Sequence, residues 1–243
     1  STTTINGVFD WVYEEEFSIR DGFRWSPDGS KIAYWQLDTS GSKNFTMINN
    51  TDSLYPTLTT FPYPKVGEKN PAAKVGVVTI DTQKTVWANF TGDAHNMYIP
   101  RMSWADNSDE IIVQRMNRKQ DTNKVYLVSA KDGSLNHIYT EKEETFIESV
   151  HDVTWIDDGK SFLWISEQDD WRHIYKISRD GKSVVDLTPG DFDITDIQSI
   201  DDKAGWVYFI ASPEDITQRY LFRAPLNDDA NKIGKKERVT PAQ

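Results

Sequence analysis

The chain has 243 residues, no cysteine and a formal net charge of −11, from 27 Lys and Arg against 38 Asp and Glu. Its length suits one large all-β domain or two ordinary ones, and 12% aromatic with 37% hydrophobic residues supplies a core that a disordered chain lacks. The acidic balance argues against a nucleic-acid partner, which needs clustered Lys and Arg, and the missing cysteines exclude disulfides, thiolate catalysis and cysteine-ligated zinc.

The chain opens on STTTINGVFDWVYEEEF, where Phe9, Trp11 and Tyr13 precede Glu14, Glu15 and Glu16. Structured-looking sequence from the start, with no basic-then-apolar leader, is what a piece of a longer protein shows; an export signal is expected outside these residues. No apolar run approaches the roughly 18 residues that span a bilayer. On an extended strand three adjacent Glu point to alternating faces and cannot converge, whereas in a helical turn or a kink two neighbours can face one pocket. An ammonium has three donors and no acceptor, so two carboxylates can hold it together. Their mutual repulsion makes such a pair stable mainly when a cation fills it. Read without its flanks, however, a Glu triplet is a solvated acidic turn.

From there a repeat begins. FRWSPDGSKIAYWQLD (23–38), MSWADNSDEIIVQRMN (102–117), VTWIDDGKSFLWISEQ (153–168) and IQSIDDKAGWVYFIAS (197–212) each read as a short strand, an Asp/Asn/Gly turn and an apolar strand. A second hairpin follows each one, at 74–90, 124–140, 172–188 and 219–240. Trp25, Trp104 and Trp155 hold matching places, and Ile200 follows in the fourth unit. Four strands per unit at a period near that of known blades predicts an all-β partial β-propeller of about four four-stranded antiparallel blades. The blade-like units are roughly 17–92, 97–140, 150–188 and 195–240. An ordinary β-sandwich explains the strands but not the double-hairpin repeat.

Residues 38–73 interrupt the first unit, and an insertion of that size inside a blade is usually functional or an interface element. Its Phe45, Met47, Ile48, Leu54 and Tyr55 predict an arm that packs on something. His95, His137, His151 and His173 show no metal-ligand spacing, and the Asp-rich turns lack a calcium-loop pattern. Neither a metal nor any other cofactor is expected. Asn44, Asn49 and Asn89 fit N-x-[ST] acceptors and read as surface polar residues.

DWVYEEEF, RWSPDGSKIAYWQLD and FPYPKVGEKNPAAKVGVV together resemble the β-propeller of the dipeptidyl peptidase IV family, serine exopeptidases of the prolyl oligopeptidase clan. DDGKSFLWISEQDDWRHIYKI resembles a later blade of the same family. The resemblance implies about four blades of an eight-bladed propeller that caps an α/β-hydrolase domain. That domain is absent here: no G-x-S-x-G occurs, so this chain alone is expected to be inactive. Residues 1–12 would be the tail of a preceding blade. In the family the last two residues of the Glu triplet bind the substrate's free α-amine, a role the resemblance gives to Glu15 and Glu16, leaving Glu14 without one. The parent would release N-terminal Xaa-Pro or Xaa-Ala dipeptides.

Tyr13 is a candidate support or pocket wall. So is Glu148, since an aromatic-plus-Arg pair of the family would fall near FIESVHDV (146–153), where this chain has Glu148 and Ser149. The resemblance further implies a peptide N-terminus as ligand, a homodimer contact through 38–57 and an extracytoplasmic, bacterial periplasmic location. The alternative is a non-catalytic propeller serving as an interaction or glycan-binding scaffold.

Overall fold

One register relation recurs through the chain: Trp25 pairs with Ile32, Trp104 with Ile111, Trp155 with Phe162 and Ile200 with Val207. Each pair lies beside a turn built of Asp, Asn or Gly, residues that tolerate the left-handed backbone such turns need. Asp157 and Asp158 adopt it in the third (φ 55° and 53°), and Gly205 does in the fourth (φ 73°).

The computed structural model describes residues 3–148, 151–227 and 234–241. It forms two compact units, Ser1–His137 and Ile138–Gln243. The first contains β1 (Thr4–Asn6), α1 (Trp11–Glu16), β2 (Phe23–Trp25), β3 (Lys31–Asp38), β4 (Asn44–Asn49), β5 (Thr57–Pro62), β6 (Ala72–Thr79) and β7 (Thr85–Trp87). A meander follows: β8 (Met97–Trp104), β9 (Glu110–Asn117), β10 (Thr122–Ser129) and β11 (Leu135–Lys142), within which the two units divide. The second unit holds two more four-stranded meanders. They are β12 (Thr154–Ile156), β13 (Ser161–Ser166), β14 (His173–Ser178) and β15 (Val184–Asp186), then β16 (Ile194–Asp201), β17 (Trp206–Ala211), β18 (Tyr220–Pro225) and β19 (Glu237–Arg238). Residue 150, where the sequence reading begins its third unit, and residues 228–233 of the last hairpin lie outside the described residues.

The first sheet departs from the sequence reading. Residues 1–12 were expected to be the tail of a separate blade, but β1 and β2 share one edge of β3. Thr4, Ile5 and Asn6 pair with Asp38, Leu37 and Gln36, and Phe23, Arg24 and Trp25 with Tyr34, Ala33 and Ile32. The chain leaves the strand at Gly7 and returns at Gly22, so residues 8–21 are an excursion pinched off from it. Both backbone groups of Trp35 serve the pinch: its carbonyl accepts from Gly7 N and its amide donates to Gly22 O, each at 3.0 Å. Gly22 N also donates to Gly7 O at 3.0 Å. A Cβ at Gly22 would sit 2.8 Å from the Gly7 carbonyl carbon, so only glycine lets the two backbones approach this closely.

Strand β3 alternates, with Ala33, Trp35 and Leu37 buried, as a sheet with one core face should. Trp35 donates its indole N–H to Ile99 O on β8 at 2.9 Å, joining two sheets of the first unit. β13, by contrast, is buried at every position, the mark of a strand covered on both faces. In the second unit Ile156, Ile174, Val207, Phe209 and Phe222 belong to one core cluster.

The insertion 38–73 contains the β4–β5 hairpin, a two-stranded sheet of its own. Met47, Ile48, Leu54, Tyr55 and Leu58 are exposed on it.

Candidate functional site

The glutamates sit on α1, a six-residue helix within the pinched excursion. Asp10 is its N-cap: an extended backbone (φ −89°, ψ 177°) lets its carboxylate accept from Tyr13 N at 3.3 Å. Burial holds the Asp10 carboxyl above its usual range. The helix closes within two turns, where Ser18 takes a left-handed backbone (φ 55°) and Ile19 N donates to Tyr13 O. Arg101 Nη1, from β8, donates to Phe17 O at 3.0 Å and so satisfies a carbonyl at the helix end.

An aromatic bed fixes the helix from below. Tyr13 stacks on Phe9 with centroids 5.4 Å apart, Phe9 meets Trp35 edge-on, and Phe17 lies against Tyr98 at 5.2 Å. Tyr13 is fully buried, and its hydroxyl accepts from Ile99 N at 3.1 Å. Burial pushes its phenol well above the ordinary range, so it is neutral at physiological pH. Tyr13 therefore acts beneath the helix; the wall above is built by its neighbours Trp11, Val12 and Phe17.

These neighbours and Glu16 line a cavity of about 650 Å³, closed on the other side by the Tyr63–Val66 segment, Asn70, Tyr98 and Arg118. The Trp11 and Tyr63 rings lie 4.3 Å apart, and Asn70 donates to Tyr98 Oη at 2.8 Å. YPKVGEKNP therefore forms the wall opposite the glutamate helix.

Glu15 and Glu16 are both exposed, while Glu14 is partly buried. Helical neighbours project about 100° apart rather than on opposite faces, so the helix permits what a strand forbids. Among the described residues neither Glu15 nor Glu16 makes an ion pair, and the last turn carries no basic side chain. Acidic groups at a helix C-terminus oppose the helix dipole. Their placement thus runs against local electrostatics, as happens where a side chain is held for a ligand. Glu16 faces the cavity; Glu15 is not part of its lining. A carboxylate without an ion pair among the described residues, Glu16, beside aromatic faces suits a cation, while Lys65 and Arg118 give the same cavity positive charge.

Glu148 is exposed in the segment after β11, in the second unit, and the neighbouring Ser149 lies outside the described residues. The histidines have separate settings. His95 Nδ1 meets Asn70 O at 2.7 Å, His137 packs on Tyr126, and His151 Nε2 meets Arg172 at 2.8 Å. His173 is different: with Asp169 and Asp186 it forms a group whose ligand atoms lie within 4.8 Å of one another. No sequence spacing signalled this trio, because cross-strand pairing brings Asp186 to the Asp169–His173 turn.

The whole chain, residues 1–243, matches the family described as dipeptidyl peptidase IV (DPP IV) N-terminal region. The chain belongs to this family. It is 30% identical to dipeptidyl peptidase 4 of Arthroderma otae over 233 residues, which cover 90% of this chain and 30% of that protein. Probable dipeptidyl peptidase 4 of Aspergillus fumigatus is 29% identical over 233 residues, 89% of this chain and 30% of its own. Among solved structures, Porphyromonas gingivalis dipeptidyl peptidase 4 is similar with a TM-score of 0.87 at 29% identity, over 98% of this chain and 33% of that one. A putative dipeptidyl aminopeptidase IV from Bacteroides ovatus reaches 0.83 at 21% identity, over 97% and 35%, a likeness that shows the fold. The chain spans 30% of the length of these curated relatives. Its fold is all-β, a partial β-propeller with three four-stranded antiparallel sheets and a five-stranded one among the described residues.

Proposed function

We propose that this chain is the substrate-recognition propeller region of a dipeptidyl peptidase IV-like serine exopeptidase, in which Glu15 and Glu16 clamp the α-amine of a peptide substrate. The observation that carries the reading is the pair of exposed carboxylates without ion-pair partners among the described residues, on a helix whose underside is locked by Tyr13. Membership of the family and relatives named dipeptidyl peptidase 4 support it.

The chemistry follows from position. An ammonium shared by two carboxylates fixes the substrate terminus at a set distance from a nucleophile on an α/β-hydrolase domain. Only the second peptide bond then reaches that nucleophile, so dipeptides leave, those ending in Pro or Ala by preference. Holding the terminus also supplies the orientation that turns an encounter into a positioned reaction. In the parent protein the region would complete an eight-bladed propeller and face outside the cytoplasm, in the bacterial periplasm. Glu148 would stand at the pocket wall, and the insert 38–57, which carries β4 and the first residue of β5, would meet a second copy.

The test uses the full-length protein with Gly-Pro-p-nitroanilide and its N-acetylated analogue. Leaving the bound substrate ammonium short of one carboxylate, desolvated in the complex, costs about 2–5 kcal/mol, so Glu15→Gln or Glu16→Gln should lower kcat/KM on the free-amine substrate roughly 30- to several-thousand-fold. The acetylated analogue should be a poor substrate throughout. Unchanged kinetics in both variants, or equal cleavage of the two substrates, would reject the clamp.

A further inference from the structure

We propose that Asp169, His173 and Asp186 form a divalent-cation site in the second unit that takes zinc. Asp169 lies in the turn between β13 and β14, His173 opens β14, and Asp186 closes β15. Tyr175 pairs with Asp186 in the ladder, so His173, two residues before Tyr175, shares a face of the sheet with Asp186. The turn then folds Asp169 over the same place, bringing its Oδ2 within 3.6 Å of His173 Nε2.

The ring of His173 is the independent sign of a ligand. It is fully buried, yet Nε2 has no hydrogen-bond partner, and a buried polar atom is rarely left so. Its other nitrogen, Nδ1, meets Thr188 Oγ1 at 3.3 Å. With the proton on Nδ1, donated to that hydroxyl, the Nε2 lone pair points at the two carboxylates, the tautomer that metal-binding histidines adopt. Both carboxylates are oriented through their other oxygen: Asp186 Oδ1 accepts from Thr188 N at 2.8 Å, and Asp169 Oδ1 from Trp171 N at 3.4 Å. Asp169 Oδ2 faces His173 Nε2, and the Tyr175 hydroxyl also hydrogen-bonds to the Asp169 carboxylate, a contact that the ion would replace or share.

One imidazole nitrogen and two carboxylate oxygens are a borderline donor set that suits zinc over the harder magnesium. Bond lengths of about 2.0–2.2 Å require ligand atoms roughly 3.3–3.6 Å apart in a tetrahedron. The His173–Asp169 separation of 3.6 Å already fits, and the other ligand atoms, within 4.8 Å, close by small shifts of the half-exposed Asp169 turn and the Asp186 side chain. Water would fill the fourth position. A bound ion would tie the β13–β14 turn to β15, so this site strengthens a blade rather than serving the glutamate clamp.

The test is isothermal titration of the chelator-treated full-length protein with zinc chloride, alongside magnesium chloride. One zinc per chain should bind, magnesium should not compete, and Asp169→Asn and Asp186→Asn should each weaken zinc at least about tenfold. Because Asp169 is on an exposed turn, its Asn variant should keep the metal-free melting temperature even where His173 variants fail to fold. Zinc should also shift the ring nitrogen resonances of His173. No zinc binding, zinc binding that both Asn variants retain, or an unmoved His173 ring would each overturn the proposal; in the last two cases zinc sits elsewhere, and in the first the trio is a plain His–Asp ion pair.

Discussion

The Tyr13 hydroxyl and the Ile99 amide meet at 3.1 Å across 86 positions of sequence, both buried. This bond ties the helix that carries the glutamates to the adjacent sheet, and with the Arg101–Phe17 contact and a stack of rings it holds the helix in place. Tyr13→Phe keeps the rings and removes the acceptor, leaving Ile99 N–H unpaired. The loss should be about 1–3 kcal/mol. Urea unfolding would show it as a lower midpoint with an unchanged slope.

Gly22→Ala tests the pinch that creates the excursion. The new methyl would meet backbone at 2.8 Å, where no flexible side chain can give way. A destabilisation of roughly 1–3 kcal/mol is expected from such overpacking. Thermal unfolding reads it, and a variant as stable as the parent would show that the two backbones can part without cost.

Glu141 predicts a pH dependence in the second unit. Burial raises its carboxyl from an ordinary 4.5 to about 7, although the Ser166 hydroxyl and the Trp164 indole N–H both donate to it. Below about pH 4.5 the group is protonated folded and unfolded, and its folded-state contribution is fully present. Between about 4.5 and 7 the unfolded chain ionises first, so stability falls as pH rises, by an amount on the order of 3 kcal/mol. Glu141→Gln can still accept from Trp164 and donate to Ser166, whose hydroxyl rotates. Melting curves of parent and variant should coincide near pH 4 and separate by pH 7.5, with the variant higher. A constant difference across that range would refute the assignment.

Ile48 and Leu58 face each other across the β4–β5 hairpin, and both are exposed. A two-stranded hairpin is marginal by itself, and apolar residues gathered on it are what an interface requires. If this hairpin joins two copies of the full-length protein, Ile48→Lys with Leu58→Lys should halve the mass seen by light scattering. The same mass in parent and double variant would remove the hairpin from any dimer contact.

The strands and their turns were legible because they are short-range. SPDG, ADNSD and IDDG encode a backbone path within a few residues, and the common register at Trp25, Trp104, Trp155 and Ile200 follows from that path alone. The membership of β1 was not legible, since the alternation in TIN says nothing about which strand it will meet. Lys176 shows the same limit. A lysine is ordinarily solvated, yet it is buried with Nζ 3.1 Å from Leu226 O and 2.7 Å from Asp157. For the glutamates, sequence proposed a pair and named it through resemblance, but whether neighbouring carboxylates could share a side depended on the backbone being helical.

By itself the sequence determined the all-β repeat, its hairpin punctuation, the family to which the chain belongs and the residue types available to bind a cation. These rest on local turn chemistry and on strings of adjacent residues. The tertiary structure alone decided that Gly7 and Gly22 pinch the glutamate helix out of an edge strand. It alone placed Tyr13 beneath the helix rather than in the cavity wall, and gathered Asp169, His173 and Asp186 around one point. Those facts depend on which backbones approach across long stretches of chain, and the free energy that selects such contacts comes from burial, which no local pattern records.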